Sequence, residues 1–528
     1  MEEKYNCLEN ERRKVYPKLF SNLYESLKNT AEKFPDKSVF IDDKGRISYK
    51  DFLTKVDLLA YFLTEKFHIE KGERIGLLFV NCINFYIAYY AAMKIGAITV
   101  MVNIKLQSSE IEFILTNTDT HILMMNSKWF RKIEPILEQT AIKKIVFDSF
   151  TDISNEEIET SDFNRIWNEC SGSEAETVET VKDERLTAVI MHTSGTTGEP
   201  KGVMISHQNI LEAAYGYQEV QKLDHTDITV LSVPVFHILG LSCVSTLFIY
   251  IGATVVLTER YDTKKILENI KKYKATHFHS VPAIFIKIIH TFDDTCDLSS
   301  LRIAVCGGAY ISEANIDMFC RIAPNASFRL AYGMTETAGS GTLSYRHREP
   351  VKAVPNVTVD VIDENGNVLP PGQQGECVFS GPVVIREIWG GGIDPSGYLR
   401  SGDIVCRDEA GFIYVVDRIK DIINRGGEKI FPSEIEKVLQ SYPGVFQAAV
   451  FGVSDEELGE VPAAVVVPEE GCILDLSYIR RDLENKIAKY EIPQYMEEWD
   501  NIPVTSNGKI QKKKLRERFE ERLINRKE

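Results

Sequence analysis

The cysteines exclude two scaffold types by what they do not form. Ten are scattered through 528 residues with no CxxC pair and no Cys/His cluster at zinc spacing, which argues against a disulfide framework or a zinc site. Free, buried thiols in a reducing cytosol are the expectation. Positive charge is also short. Against 77 Asp and Glu stand 61 Lys and Arg, a formal balance of −16, and a phosphate backbone needs a basic surface, so nucleic acid is excluded as the main partner. The opening stretch Met1–Tyr16 lacks the apolar core of a signal peptide, so a cytoplasmic protein is expected. Internal repeats and low-complexity tracts are absent too.

One stretch lacks charge altogether. From Ile228 to Leu257 there is no Asp, Glu, Lys or Arg, long enough for a membrane helix. Pro234, His237, Gly240 and Gly252 interrupt it. The better reading is strand Ile228–Val233, a loop, a buried helix near Leu239–Tyr250 and strand Thr254–Leu257. No transmembrane segment is therefore expected, although peripheral membrane contact stays open.

What is present is an ordinary globular composition, 44% hydrophobic and 26% charged, in a chain long enough for several domains. The first half alternates apolar β-rich runs with amphipathic helical stretches. Arg74–Val80 reads as a buried strand, Ile83–Ile95 as a helix stopped by Gly96, and Ile98–Val102 as the next strand. Further apolar runs lie at 121–125, 144–147, 188–192, 277–281 and 302–305. Strands alternating with helices imply an α/β fold of parallel sheets covered on both faces. Residues 150–186 read as a surface connection. After about Gly339, short strands with turn chemistry (357–362, 363–366, 376–380, 411–416) imply a β-rich subdomain over about 340–418. A small α+β unit is expected over 419–528, with helix Pro432–Gln440, strands at 447–453 and 463–467, helix Leu476–Lys489 and a solvated basic helix Lys512–Lys527. The large domain is then 1–418.

The chemistry is carried by short strings. Residues 193–202 read Thr-Ser-Gly-Thr-Thr-Gly-Glu-Pro-Lys-Gly. Gly195, Gly198 and Gly202 allow close backbone approach to a phosphate. Ser194, Thr196 and Thr197 add hydroxyls, and Lys201 adds a mobile positive charge. The ordinary phosphate loop, with glycine directly before lysine, does not fit, and a plain hairpin is the bland alternative. Further strings are Val305-Cys-Gly-Gly-Ala309, Tyr332-Gly-Met-Thr-Glu336, Ser401-Gly-Asp403, Asp417-Arg418, Pro503-Val-Thr-Ser-Asn-Gly-Lys509 and Pro234-Val-Phe-His237-Ile-Leu-Gly240.

Together, and in this order, these strings resemble the AMP-forming acyl/aryl-CoA synthetase superfamily, which includes carrier-loading adenylation domains and firefly luciferases. The resemblance runs from about Asn22 to Leu515. It implies ATP, Mg²⁺ and CoA as cofactor and co-substrates, and a carboxylic acid as substrate. By it, Thr193, Ser194, Gly195, Thr196, Thr197, Gly198 and Lys201 would hold the β- and γ-phosphates. Gly307, Gly308, Ala309, Tyr332, Gly333, Met334, Asp403 and Arg418 would hold the nucleoside side of ATP or AMP. Thr335 would contact the α-phosphate, and Glu336 would help hold magnesium, a hard cation suited to carboxylate oxygen. Lys509 would be the catalytic lysine, neutralising carboxylate and α-phosphate oxygens as they approach. His237, Val281, Gly308 and Met334 would border the acyl pocket. Lys420 would be a hinge, and Gly427 would leave room for a pantetheine arm.

The pattern departs at three places. His192 stands where an aromatic residue is usual, Tyr345–Val354 lacks the usual Gly-x-Val-Gly-x-Pro turn, and Ile385–Gly397 carries Arg-Glu-Ile-Trp-Gly-Gly-Gly. These bear on the lid near the acyl and nucleotide sites. Apolar residues around 236–241 and 281–285 favour a fatty or other hydrophobic acid. A carrier-protein thiol as acceptor and a non-enzymatic acyl-AMP sensor are the competing expectations.

Overall fold

A computed structural model describes residues 20–149, 158–170, 178–194, 200–391, 398–469, 471–504 and 510–527. The chain divides into two compact units, one of residues 1–308, 317–358 and 379–399, the other of 309–316, 359–378 and 400–528.

The first unit contains two large sheets. In one, strands Ser38–Asp42, Thr254–Leu257, Ile228–Leu231, His277–Ser280, Ile303–Gly307 and Ser327–Gly333 lie side by side and parallel. Gly341–Leu343 and Val351–Ala353 extend it antiparallel beyond Gly333. In the other, Thr187–Ser194, Ile98–Met101, Arg74–Leu78, Ile122–Met125, Lys144–Phe147 and Glu159–Asp162 form a parallel run. Pro200–Ser206 folds back on Thr187–Ser194 as a hairpin. Parallel strands buried on both faces need near-continuous apolar sequence, and Ile122–Met125 and Thr254–Leu257 are buried at every position.

Helix Ile83–Ile95 is buried on almost every side, as an all-round apolar helix must be, and ends where Gly96 adopts φ +71°. The charge-free run folds inside this unit. No helix among the described residues is long and apolar enough to cross a membrane. Its middle differs from the expected α-helix: Leu239–Thr246 makes wide π-helical turns, and only Leu247–Tyr250 is α-helical.

The expected surface connection over 150–186 is corrected in part. Strand Glu159–Asp162 extends the parallel sheet, and helix Phe163–Glu169 buries Phe163 and Ile166. Polar composition hid two inward apolar residues on one short helix.

One clasp sets the N-terminal ends of four strands in the first sheet. Asp227, its side chain 3% exposed, accepts from Arg302 Nη2 at 2.6 Å, Arg302 Nε at 2.9 Å and Thr276 Oγ1 at 2.6 Å. Its own carbonyl accepts from Thr254 N–H. Arg302→Ala leaves a buried carboxylate without its cation. Because the guanidinium is 41% exposed and water can enter, the expected loss is about 3 kcal/mol, at the low end for a buried pair. Urea unfolding against an Arg302→Lys control measures it, and an unchanged midpoint would refute the clasp.

In the second unit, strands Thr358–Ile362, Gln374–Ser380, Leu399–Arg407 and Phe412–Arg418 are neighbours in that order. A separate five-stranded sheet is built on the long hairpin Val445–Asp455 and Gly459–Pro468. Helix Pro432–Gln440 has the expected bounds. Helix Leu476–Leu483 stops six residues before the expected Lys489, because its hydrogen bonds tighten into three-residue turns at Glu484, Asn485 and Lys486. The terminal helix Lys512–Lys527 is not wholly solvated: Leu515 and Phe519 are fully buried, with Phe519 edge-on to Phe451.

Candidate nucleotide and acyl site

Parallel strands bring distant motifs to one sheet edge. The strands ending at Leu231, Ser280, Gly307 and Gly333 all point the same way. Their carboxyl ends therefore carry Pro234–His237, Val281, Gly307–Gly308 and Tyr332–Glu336 along one rim, the usual place for a ligand in an open α/β sheet. Gly308 has φ +86°, and Val281 Cγ1 lies 3.6 Å from where its Cβ would stand. A Cβ on Gly307 would come within 3.1 Å of the Ala331 carbonyl oxygen. Glycine at both positions keeps this rim open.

Beyond Gly333 the chain makes a tight turn. Thr337 Oγ1 accepts from Met334 N–H at 3.1 Å, and Thr335–Thr337 forms one 3₁₀ turn. Ala338 (φ +52°) and Gly339 (φ +81°) then reverse the backbone. The Tyr332 ring leans on Phe379, centroids 5.8 Å apart. The Glu336 carbonyl accepts from Ile385 N–H at 3.0 Å, so the magnesium candidate stands beside the atypical segment that follows Ile385.

That segment runs along the glycine-rich hairpin. Glu387–Ile388 pairs antiparallel with Pro200–Ser206, and Trp389 N–H donates to the Gly202 carbonyl at 2.8 Å while its indole donates to Asn117 O at 2.8 Å. In the hairpin, Thr193 faces Lys201 and Ser194 faces Pro200. The bland reading as a hairpin is thus correct in shape, and Lys201 is exposed at its mouth. Gly195, Thr196, Thr197 and Gly198 lie outside the described residues. One pair down, His192 faces Gly202, whose missing Cβ would sit 2.9 Å from Trp389 Cβ and 3.5 Å from His192 Nε2. Two of the three departures from the pattern therefore meet at one glycine. Both ring nitrogens of His192 are buried without a partner, and burial lowers its pKa to about 4.

The second unit holds the other strings. Asp403 and Arg418 face each other across an antiparallel pair, and Arg418 Nε donates to Asp403 Oδ1 at 3.1 Å. Asp403 is buried, its N–H donates to Ser401 Oγ at 3.1 Å, and Ser401 donates to Cys377 O at 2.8 Å. Serine at 401 supplies the bracing hydroxyl. Asp417 accepts from Ser433 N–H at 2.7 Å, which ties the strand end to helix Pro432–Gln440. Lys420 is exposed in the short turn Ile419–Asp421. Gly427, φ +97°, is at the end of the hairpin of Ile423–Arg425 with Glu428–Ile430 and has open space around it. Ala309 is exposed. Lys509 lies outside the described residues; Val504 and Ile510, on either side, pair as an antiparallel bridge. Among the described residues, no group of three or more His, Cys, Asp or Glu can hold a metal. A single carboxylate fits Mg²⁺ that takes its other oxygens from phosphates and water.

Sequence reasoning missed a polar group near the strand-end rim: Tyr217, Cys243, His279 and Ser340, all buried. Burial pushes the Cys243 thiol up to about 12 and the His279 imidazole down to about 3. Its trace in the sequence was histidine at two alternate positions of strand His277–Ser280.

The family descriptions "AMP-binding enzyme" and "AMP-binding enzyme C-terminal domain" match residues 27–389 and 434–509. Feruloyl-CoA synthase of an Amycolatopsis species is 30% identical over 90% of this chain and 94% of its own length. The long-chain-fatty-acid–CoA ligase FadD13 of Mycobacterium tuberculosis is 30% identical over 85% of this chain and 89% of its own. A solved structure of the Bacillus subtilis o-succinylbenzoate CoA synthetase MenE, in complex with ATP and a magnesium ion, superposes with a TM-score of 0.79. It is 25% identical and covers 93% of this chain and 98% of its own. The chain belongs to the AMP-binding enzyme family, the AMP-forming ligases that join an acid to a thiol.

Proposed function

We propose that this protein activates a hydrophobic carboxylic acid with ATP and passes the acyl group to the thiol of CoA. In the first step the carboxylate attacks the α-phosphorus, giving acyl-AMP and pyrophosphate. In the second, the thiolate attacks the acyl carbon and AMP leaves. The observation that carries this reading is the convergence of Val281, Gly307–Gly308 and Tyr332–Glu336 on one strand-end rim, in a chain whose relatives are named as CoA ligases.

In this reading the hairpin from Thr193 to Gly202 cradles the β- and γ-phosphates, and Thr335 contacts the α-phosphate. Mg²⁺, held by Glu336, neutralises phosphate charge when bound. Tyr332 stacks on adenine beside Gly307, Gly308, Ala309, Gly333 and Met334. Asp403 accepts from the ribose hydroxyls with Arg418 beside it. Lys509 meets the carboxylate and α-phosphate oxygens. His237, Val281, Gly308 and Met334 border the acyl chain. Residues beyond the Lys420 hinge turn as a body between the two steps, and Gly427 then makes room for the pantetheine arm.

Incubation of a panel of carboxylic acids with ATP, Mg²⁺ and either CoA or a pantetheinylated carrier protein tests this. Acid-dependent AMP formation with thioester on CoA, read by mass, is expected. Thioester on the carrier alone would replace CoA by a carrier as acceptor. No AMP with any acid would end the reading.

A further inference from the structure

A two-residue strand has too few ladder bonds to hold itself, and Glu387–Ile388, at the edge of the second sheet, is such a strand. It pairs Glu387 with Met204 and Ile388 with Val203. The residue after it supplies the rest. Trp389 N–H reaches the Gly202 carbonyl at 2.8 Å, and Gly390, φ +77°, turns the chain so that Gly391 N–H returns to the Ile388 carbonyl at 2.9 Å. The Trp389 side chain starts directly over Gly202. A Cβ there would come within 2.9 Å of Trp389 Cβ and 3.1 Å of Ile190 Cγ2, so only glycine lets the two backbones run this close.

The ring is anchored at its other end as well. Its indole donates at 2.8 Å to the carbonyl of Asn117, the last residue of helix Ser108–Asn117, where helical carbonyls lack partners of their own. The Arg74 guanidinium stands 5.9 Å from the ring centroid, within cation–π range. Arg74 is itself fixed. Its Nε donates to Thr118 O at 2.9 Å, its Nη2 donates to Asp119 O at 2.8 Å, and it pairs with the Asp119 carboxylate. Four residues before Trp389, Ile385 N–H donates to the Glu336 carbonyl at 3.0 Å. Residues 385–389 therefore form a strap from the turn of the magnesium candidate to the stem of the hairpin that carries Lys201. All of these residues belong to the first unit.

We propose that Trp389 is a positioning residue for MgATP, clamping the strap Ile385–Trp389 and so setting the spacing between the Glu336 turn and the phosphate hairpin. The inference rests on the acid-activating reading above and adds to it a residue that none of the motif strings contains. Trp389 touches no reacting atom. It acts through Gly202 and the neighbouring Lys201 on the β- and γ-phosphates, which are present in ATP and gone from acyl-AMP. Its effect therefore falls on the first step alone. Holding the two elements at one spacing before ATP arrives removes an ordering cost from binding.

The test compares the parent enzyme with Trp389→Ala in two assays. One is acid-dependent pyrophosphate release over a range of MgATP, with the best acid of the panel. The other is thioester formation from the acyl-AMP of that acid and CoA. KM for ATP should rise by about tenfold to a hundredfold, while KM for the acid and the rate from acyl-AMP stay within about twofold. A tryptophan that only packs the sheet would lower both half-reactions together. Trp389→Phe keeps a ring against Gly202 and Arg74 but lacks the indole N–H. It should raise KM for ATP by less, about threefold to tenfold, and it remains readable if Trp389→Ala does not fold. An unchanged KM for ATP in a folded variant, or an equal loss in both half-reactions, overturns the proposal while the parent's activity leaves the acid-activating reading standing. If the parent forms no AMP with any acid, that reading falls first, and this inference falls with it.

Discussion

Lys509→Ala lowers acid-dependent pyrophosphate release by about 10²–10³-fold, the usual range for removing one preorganised group aimed at developing charge. A carboxylate and a triphosphate are both anions, and bringing them together in a site shielded from water raises their repulsion. In the proposed mechanism, Lys201 serves the distal phosphates and Glu336 the cation, so Lys509 is the charge that meets the reacting oxygens. In the second step the acyl carbon is no longer part of a carboxylate, and the thiolate faces only the single phosphate charge of acyl-AMP, so the repulsion is smaller. Supplied acyl-AMP and CoA should therefore form thioester at a rate within a few-fold of the parent enzyme. Pre-steady-state pyrophosphate release and thioester formation from synthetic acyl-AMP separate the two effects. Equal losses in both steps would remove Lys509 from adenylation chemistry and leave it a general binding residue.

Much of the fold was legible because periodicity and punctuation act locally. Helix Ile83–Ile95 with its Gly96 stop, helix Pro432–Gln440 behind its first-turn proline and strand Lys144–Phe147 emerge with the expected ends. Errors arose where a short apolar set hid in polar sequence. Phe163 and Ile166 fold a helix inside the presumed connection, and Leu515 with Phe519 bury one side of a strongly basic helix. The candidate site was legible as strings, since each string keeps its order. What the sequence could not carry was pairing across elements. Nothing in the string shows that His277 finds Gln221 while His279 comes to lie beside Tyr217, or that Trp389 reaches across to Gly202 beside His192. Those outcomes depend on which strand lies next to which helix, and that is settled by tertiary packing.

Stability should fall steeply as pH drops from about 6 toward 4, and the loss should begin in the first unit. Four of its histidines are held neutral by burial. His192 and His207 stand at about 4 and His279 at about 3, with His277 well below its ordinary value as well. For His277 the nearby His279, Arg302 and Arg329 add to desolvation. In the unfolded chain each imidazole titrates near its usual value of about 6.5. Below that pH the unfolded state takes up protons that the folded state refuses, so each histidine removes about 1.4 kcal/mol per pH unit until its own folded value is reached. All four act in the same direction, so the first unit loses stability as the pH falls below the ordinary imidazole value. All ten histidines of the chain fall within the first unit, so the second lacks this source of acid sensitivity. Hydrogen exchange read by peptide mass at pH 7, 6 and 5, corrected for intrinsic rates, should show protection lost from 187–194, 207–221 and 277–280 first. Replacing His192 by Tyr should flatten the dependence by one histidine's share. Protection that stays level down to pH 5 would mean that these rings reach water or partners when protonated, and the account of buried, neutral imidazoles behind the site would have to be abandoned.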